Sequence, residues 1–442
     1  MTSRGYVLTT CLLLLAAVPL AADADTIHVP LDQPTIQQGL DAAASGDIVL
    51  VSAGTYTGGL NRDLDFGGKN VTLRSESGQP TTIIDCETLG RALYFHSGED
   101  TTAIVEGFTI QNAVADSGGA VMCRSGSSPV FVQCTFRNNS AVMQGGAICA
   151  RLSSPILRFC LFEENAASGG SQSTGGAVAC LNAAGPRIRG CTFSGNTAAA
   201  YAGAVYGSAS ALTISGCSFS DNAGLFGGGG IFCSNCPSLA VTGCQFSGNT
   251  GSQGGAIYTQ SCPPTVTDCS FDGHGQRAVA LLYPVSDGHF SNCTFVNSIG
   301  HVHCFDGADA TFSNCTFVGS TWGGTVSMNE ASPSFDHCIF AFSTDEQVAT
   351  CESGTETPVF TRCVLFSNTG GDDLCGAVSD TLHRDPRFCN MTEYEFDLCA
   401  NSVCAPANNA WNELIGAWDA GCPDCGSAAA RTTWGAIKGL YR

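Results

Sequence analysis

The chain has 442 residues, 44% hydrophobic and only 13% charged, with 54 glycines and 26 cysteines. Its formal charge is −20 and its only lysines are Lys69 and Lys438, which excludes the basic surface that nucleic acid or anionic lipid requires. Length alone allows two or three domains, but an internal repeat argues for a single elongated one.

Residues 1–24 read as a secretory signal peptide. Arg4 charges the start, Cys11 to Leu20 is apolar, and Ala22-Asp23-Ala24 offers a small-residue cleavage site. The apolar run is too short for a membrane anchor, and no other segment is long enough, so no transmembrane anchor is expected in the mature chain. Cys11 precedes the leucine run instead of following it, which argues against a lipoprotein site. The mature protein is therefore expected to be secreted or held at the cell surface, where disulfides form.

Residues 25–112 read as an N-terminal cap and the first coils of a solenoid. Within Pro34 to Ala44, Ile36 and Leu40 lie four apart, which predicts a short amphipathic helix placed to cover an open core. Short strands are predicted at Asp47–Val51, Asn70–Leu73 and Thr82–Ile84, separated by glycine-rich turns.

Residues 113–370 repeat. Cys191-Thr192-Phe193 with Asn196 recurs as Cys134/Phe136/Asn139, Cys160/Phe162/Asn165, Cys217/Phe219/Asn222 and Cys244/Phe246/Asn249, and more loosely from Cys269 to Cys363. The step between cysteines runs from 22 residues (Cys293 to Cys315) to 31 (Cys160 to Cys191). Cysteine and Phe two apart share one face of a strand. An apolar residue stands three before each cysteine, from Phe131 and Leu157 to Phe335 and Phe360, and the residue just before the cysteine is often Gly, Asn or Asp, which suits a bend. The Asn is read as a turn residue that tolerates left-handed backbone. Gly118-Gly119-Ala120-Val121 and its copies at Gly145, Gly175, Gly229 and Gly254 mark a further corner followed by a strand. Three short strands and three corners per repeat, without the Leu-x-x-Leu-x-Leu frame of a leucine-rich repeat, predict an all-β fold. It is a right-handed parallel β-helix solenoid with an N-terminal helical cap and a Cys-rich C-terminal cap.

Residues 371–425 break the repeat and hold Cys375, Cys389, Cys399, Cys404, Cys422 and Cys425, read as disulfide-closed final coils and cap. Residues 426–442 are a small-residue linker and a basic tail with Arg431, Lys438 and Arg442, a sorting or docking tag or simply a frayed end. Removing Cys11 with the leader leaves an odd number of cysteines, so at least one thiol stays unpaired unless chains pair. Cys233/Cys236 and Cys422/Cys425 are read as local disulfides. In the cysteine ladder some stacked pairs are open to bonding and the others fill the core.

The paired Gly-Gly-Ala-(Ile/Val) and Phe-x-x-Asn motifs of residues 118–257 resemble the repeats of chlamydial polymorphic outer membrane proteins. The resemblance implies a surface adhesin; those proteins are autotransported through a C-terminal membrane barrel, for which no room is expected here. Gly46-Asp47-Ile48-Val49-Leu50-Val51 with Gly54-Thr55-Tyr56 is similar to the opening segment of bacterial secreted β-helices of the pectin-lyase-like class.

That class makes polysaccharide chemistry the alternative. Gly273-His274-Gly275 and Asp372-Asp373 are similar to fragments of polygalacturonase-like enzymes, but in the reverse order and without a following Arg-Ile-Lys; His274 takes the slot of the ladder Asn. Arg187 and Arg189 alternate on a strand and are placed to face a groove, without an acidic cluster at coil spacing. His301 and His303 are a same-face pair that suits a metal, though a solvated strand face is the commoner arrangement. The long step around Ser168–Thr174 is the expected binding rim. No catalytic, cofactor-binding or metal-ligating residue is assigned. The expected function is a non-catalytic, adhesin-like protein that binds carbohydrate or a surface partner, the net charge favouring neutral glycans or proteins; the alternative is a polysaccharide lyase or glycoside hydrolase.

Overall fold

The computed structural model describes residues 24–321, 323–344, 347–390 and 395–423. The leader expected over residues 1–24 lies, but for its last residue, outside them, as do Cys425 and the tail at 426–442.

The described chain winds as a parallel β-helix. Most coils contribute one strand to each of three long parallel sheets, which have fifteen, thirteen and twelve strands. The fifteen-stranded sheet runs from Thr26–Val29 to Ala377–Ser379. Registers are maintained coil after coil, as in Phe162↔Phe193 and Phe193↔Phe219. A fourth sheet of six very short strands was not anticipated. It forms where the two to five residues after the ladder Asn run extended and pair with the same residues of the next coil, as at Thr197↔Ala223.

The inward rows are those of the repeat. Phe136, Phe162, Phe193, Phe219, Phe246, Phe271 and Phe295 stack nearly parallel, with centroids 4.6–5.0 Å apart. The apolar residue three before each cysteine is buried throughout. The residue before the cysteine is left-handed in every copy, with Gly190 at φ 61° and Asp268 at φ 55°. The ladder Asn, however, is not the left-handed residue; its predecessor is, as at Glu164 (φ 52°) and Gly195 (φ 63°). The Asn instead points inward and bonds along the axis. Asn196 Oδ1 accepts from the backbone N and the Nδ2 of Asn165 at 3.0 and 2.9 Å, while Asn196 Nδ2 donates to the Phe162 carbonyl at 2.9 Å. A buried corner needs partners for its amides, and an inward carboxamide supplies both donor and acceptor.

The N-terminal helix spans Ile36–Ala42, with Thr35 as its N-cap, and buries Ile36, Gly39 and Leu40. A Cβ on Gly39 would lie 2.9 Å from Val49 Cγ1, so the helix seats directly on the first strands. Lys69 Nζ donates to the terminal carbonyls of Leu40, Asp41 and Ala43, closing the C-terminal end of the helix.

The C-terminal segment does more than close the last coil. Phe388–Asn390, Glu395–Cys399 and Ala420–Cys422 form a small separate sheet. Its cluster of Phe388, Phe396, Leu398, Cys404 and Ile415 packs on Val296, Val318, Ile339, Ala341 and Val364, on the outer face of the thirteen-stranded sheet. Trp418 reaches back to Thr294, where its Nε1 donates to Oγ1 at 2.6 Å. The reason is local. Earlier coils present Ser194, Ser220 and Ser247 at the position where later coils present Val296, Val318 and Ala341, and an apolar outer face has to be covered.

Among the described residues, disulfides join Cys351 to Cys375 and Cys389 to Cys422, and Cys399 is also bonded. Cys404 corrects the expectation of a fully closed cap, since it is a buried thiol within the apolar cluster. Cys233 and Cys236, read as a local disulfide, are free and buried. The whole ladder from Cys134 to Cys363 is free as well. In-register neighbours stand about 4.8 Å apart, slightly beyond the Cβ separation a disulfide accepts. Their sulfurs accept backbone N–H groups instead, as at Cys160 N to Cys191 Sγ, 3.4 Å.

Candidate functional site

Every second residue of the fifteen-stranded sheet faces outward. From Leu212–Ser215 onward these positions mostly carry hydroxyls. One row runs Ser215, Thr242, Thr267, Ser291, Ser313 and the other includes Thr213, Thr265 and Thr311. The two coils just before this run carry arginines instead. Ile156-Leu157-Arg158 pairs with Arg187-Ile188-Arg189 so that Arg158 lies beside Arg189, and the next coil places Thr213 and Ser215 beside Arg187 and Arg189. All three arginines are exposed. The ion pairs that arginines make among the described residues belong to Arg62 and Arg362, and none to Arg158, Arg187 or Arg189. On a chain of charge −20, three unpaired cations on neighbouring rungs are a local reversal of the field.

Phe159 completes the arrangement. It occupies the left-handed slot before the ladder cysteine, at φ 55°, and is 57% exposed. The three coils that follow put glycine there, at Gly190, Gly216 and Gly243, and others a polar residue such as Gln133, Asp268 or Asn292. A bulky residue in this conformation is strained, and strain of this sort persists where the surroundings impose it. The surroundings here are Gly190 in the next coil, where an added Cβ would stand 2.6 Å from Phe159 Cδ1. The bare glycine makes room for the edge of the ring against the neighbouring rung. Arg158, Arg187, Arg189, Phe159, Thr213 and Ser215 thus line one shallow groove of about 490 Å³. Its equipment is a set of guanidinium forks for carboxylate or sulfate, an apolar ring face, and hydroxyls.

Arg187 and Arg189 sit where the sequence reading put them. Arg158 and Phe159 were missed, though the repeat frame contains them: Arg158 stands two before Cys160 as Arg189 stands two before Cys191. The Ser168–Thr174 insertion is exposed over residues 168–172 but follows Ala166–Ala167 of the six-stranded sheet, away from the arginines.

A second concavity of about 370 Å³ lies under the C-terminal segment, lined by Asp272, Thr294, Phe396, Asp397 and Trp418. Partial burial raises the Asp272 carboxyl above its ordinary value, opposed by a 3.1 Å hydrogen bond from Asn297 Nδ2.

The histidines are not a metal pair. His301 is fully buried between the rings of Phe295 and Phe317, each 6.1 Å away. His303 stacks on Phe305 on the other side of the sheet, with Nε2 3.6 Å from Glu352 Oε1. The strand begins only at Val302, so the two do not share a face, and neither is solvated. Burial holds both imidazoles neutral, with pKa values near 3. His274 is buried in the Asn slot, its Nδ1 3.3 Å from the Asn249 carbonyl. Asp372 accepts from Asn368 and contacts His383, four coils along from His274, so the polygalacturonase-like fragments do not meet.

The family described as the right handed beta helix region matches residues 121–295 and 261–379. The chain belongs to this family. The expected handedness thereby stands with the observed parallel coils. No curated protein matches the chain. Among solved structures, similar ones include bacteriophage CBA120 tailspike protein 3 (12% identity, TM-score 0.37). This β-helix covers 87% of its own length and 59% of that tailspike's in the comparison. The A-module of Azotobacter vinelandii mannuronan C-5 epimerase AlgE4 is similar at 12% identity and TM-score 0.34, over 82% of this chain and 96% of the module. The Siphovirus 9NA tailspike receptor binding domain follows at 10% and 0.25, over 93% and 78%. At these values none of the three carries an argument about function.

Proposed function

We propose that this β-helix is an extracellular or cell-surface glycan-binding protein that takes acidic sugars at Arg158, Arg187 and Arg189 and extends its grip along the hydroxyl rows. The observation that carries the reading is the set of three exposed, unpaired arginines around a strained, exposed Phe159. Guanidinium forks match carboxylate and sulfate groups, a sugar ring stacks on Phe159, and hydroxyls repeating at about 4.8 Å offer hydrogen bonds to a chain laid along the axis. This narrows the expectation from composition: the net charge favours neutral partners, but the local field favours anions. The leader expected over residues 1–24 and the disulfides Cys351–Cys375 and Cys389–Cys422 support reading the protein as exported. No helix among the described residues is long and apolar enough to cross a membrane.

Titration calorimetry against oligogalacturonate, oligomannuronate and a neutral oligosaccharide of equal length tests it. Acidic chains should bind, more weakly as salt rises, and Arg158→Ala with Arg189→Ala should lower affinity about tenfold or more, in line with the loss of charge-assisted hydrogen bonds. Equal binding of neutral and acidic chains, unaffected by the arginine changes, would overturn the proposal.

The cleft under the C-terminal segment favours a second reading, glycoside hydrolysis by Asp272 and Asp397 beside Trp418, because two carboxyl groups and an indole line one concavity. Reducing ends released from a polysaccharide panel by the native chain and not by Asp272→Asn would establish it.

A further inference from the structure

Cys233, Cys236 and Cys262 stand outside the cysteine ladder, and they converge. Cys233 is the last inward residue of the strand Ile231–Ser234 in the twelve-stranded sheet; Cys236 and Cys262 occupy equivalent places just past that sheet in successive coils. Their three sulfurs lie within 4.8 Å of one another, and all three side chains are buried, at 0%, 2% and 0% exposure. The neighbouring coils leave space for them. Gly207 lies in register with Cys233, and a Cβ there would stand 3.1 Å from Cys233 Sγ and 3.3 Å from Cys236 Sγ. On the other side Thr259 stacks in register on Cys233, and its buried hydroxyl has no hydrogen-bond partner.

We propose that Cys233, Cys236 and Cys262 form a three-coordinate site for a soft monovalent metal ion, Cu(I). Three sulfurs around an ion at a metal–sulfur distance of about 2.3 Å stand about 4.0 Å apart in a plane, a small contraction of the present cluster. Thiolate sulfur selects soft ions. Structural zinc requires a fourth ligand, and no fourth His, Cys, Asp or Glu joins the cluster among the described residues. Binding involves no change of oxidation state: sulfur lone pairs are donated to the ion, and each thiol that ionises releases its proton to solvent.

The full mature chain, held reduced and free of oxygen, is titrated with Cu(I) against a colorimetric Cu(I) chelator. One tight equivalent per chain is expected, with X-ray absorption reporting three sulfur neighbours. Cys236→Ser and Cys262→Ala should each weaken binding about 100-fold, while Cys304→Ser, a buried thiol elsewhere in the core, should not. Circular dichroism checks that each variant is folded, and either of the two site variants suffices. Equal Cu(I) affinity in native and variant chains would overturn the proposal. So would displacement of Cu(I) by stoichiometric Zn(II), or a disulfide joining two of the three in peptides from the unreduced protein.

Discussion

At the scale of single residues, the core is built from repeated identities. Phe193 lies between Phe162 and Phe219 at 4.7 and 4.8 Å, with ring planes within a few degrees of parallel. Phe193→Ala should cost about 3–5 kcal/mol in denaturant melts, since the rungs on either side prevent the cavity from collapsing. A loss below about 1 kcal/mol would contradict the inward stack. The same rows contain an acid-sensitive weakness. His274 replaces the ladder Asn, and burial lowers its pKa from 6.5 to about 4. His301 is lowered to about 3 by burial. Between about pH 6.5 and 4 the unfolded chain binds these protons and the folded chain does not, so stability falls as pH falls, by about 1.4 kcal/mol per pH unit for each histidine. His274→Asn should flatten urea stability against pH across that window by about one such increment; an unchanged slope would show that His274 is not held neutral.

At the scale of elements, the corners and the covering segment decide what the coils tolerate. At Gly146 an added Cβ would meet the Gly176 and Ala166 carbonyls at 2.1 and 2.5 Å, so Gly146→Ala has to push two rungs apart. It should destabilise by at least about 1–3 kcal/mol, the range for overpacking, read as a lower melting temperature. The C-terminal segment is tied differently from the coils. Alkylation of the denatured, unreduced chain should label Cys404 and the ladder cysteines but spare Cys351, Cys375, Cys389 and Cys422, as read by peptide mass spectrometry. Labelling at Cys389 and Cys422 would mean that the flank is held by packing alone.

At the scale of the molecule, fifteen rungs at about 4.8 Å make a rod about 70 Å long, a dimension that small-angle scattering checks. A rod of net charge −20 with one arginine groove should bind anionic chains at that groove and repel them elsewhere. Eliminase activity with millimolar calcium is not expected, because no carboxylate lines the groove to hold the cation against a bound uronate. Sustained formation of unsaturated product, lost in Arg187→Ala or Arg189→Ala, would replace the binding role with a lyase one.

The parallel β-helix, its inward Phe and Cys rows and its helical cap were legible in the chain alone, whereas the recurring Asn was legible only as a turn residue and not as an inward one. A repeat of about 25 residues forces each motif to meet its own copy, so spacing along the sequence becomes contact along the axis. What depended on tertiary structure lies where the chain touches something other than its copy. Arg158 and Arg189, like Phe159 and Gly190, hold equivalent places in successive repeats, but that they stay in register across a step of 31 residues depends on the insertion being taken up at a distant corner. Cys233, Cys236 and Cys262 converge through a corner whose geometry no spacing rule specifies. The C-terminal segment turns back along the flank because Val296, Val318 and Ile339 present an apolar face, and which face a distant segment covers is settled by packing once the coils exist.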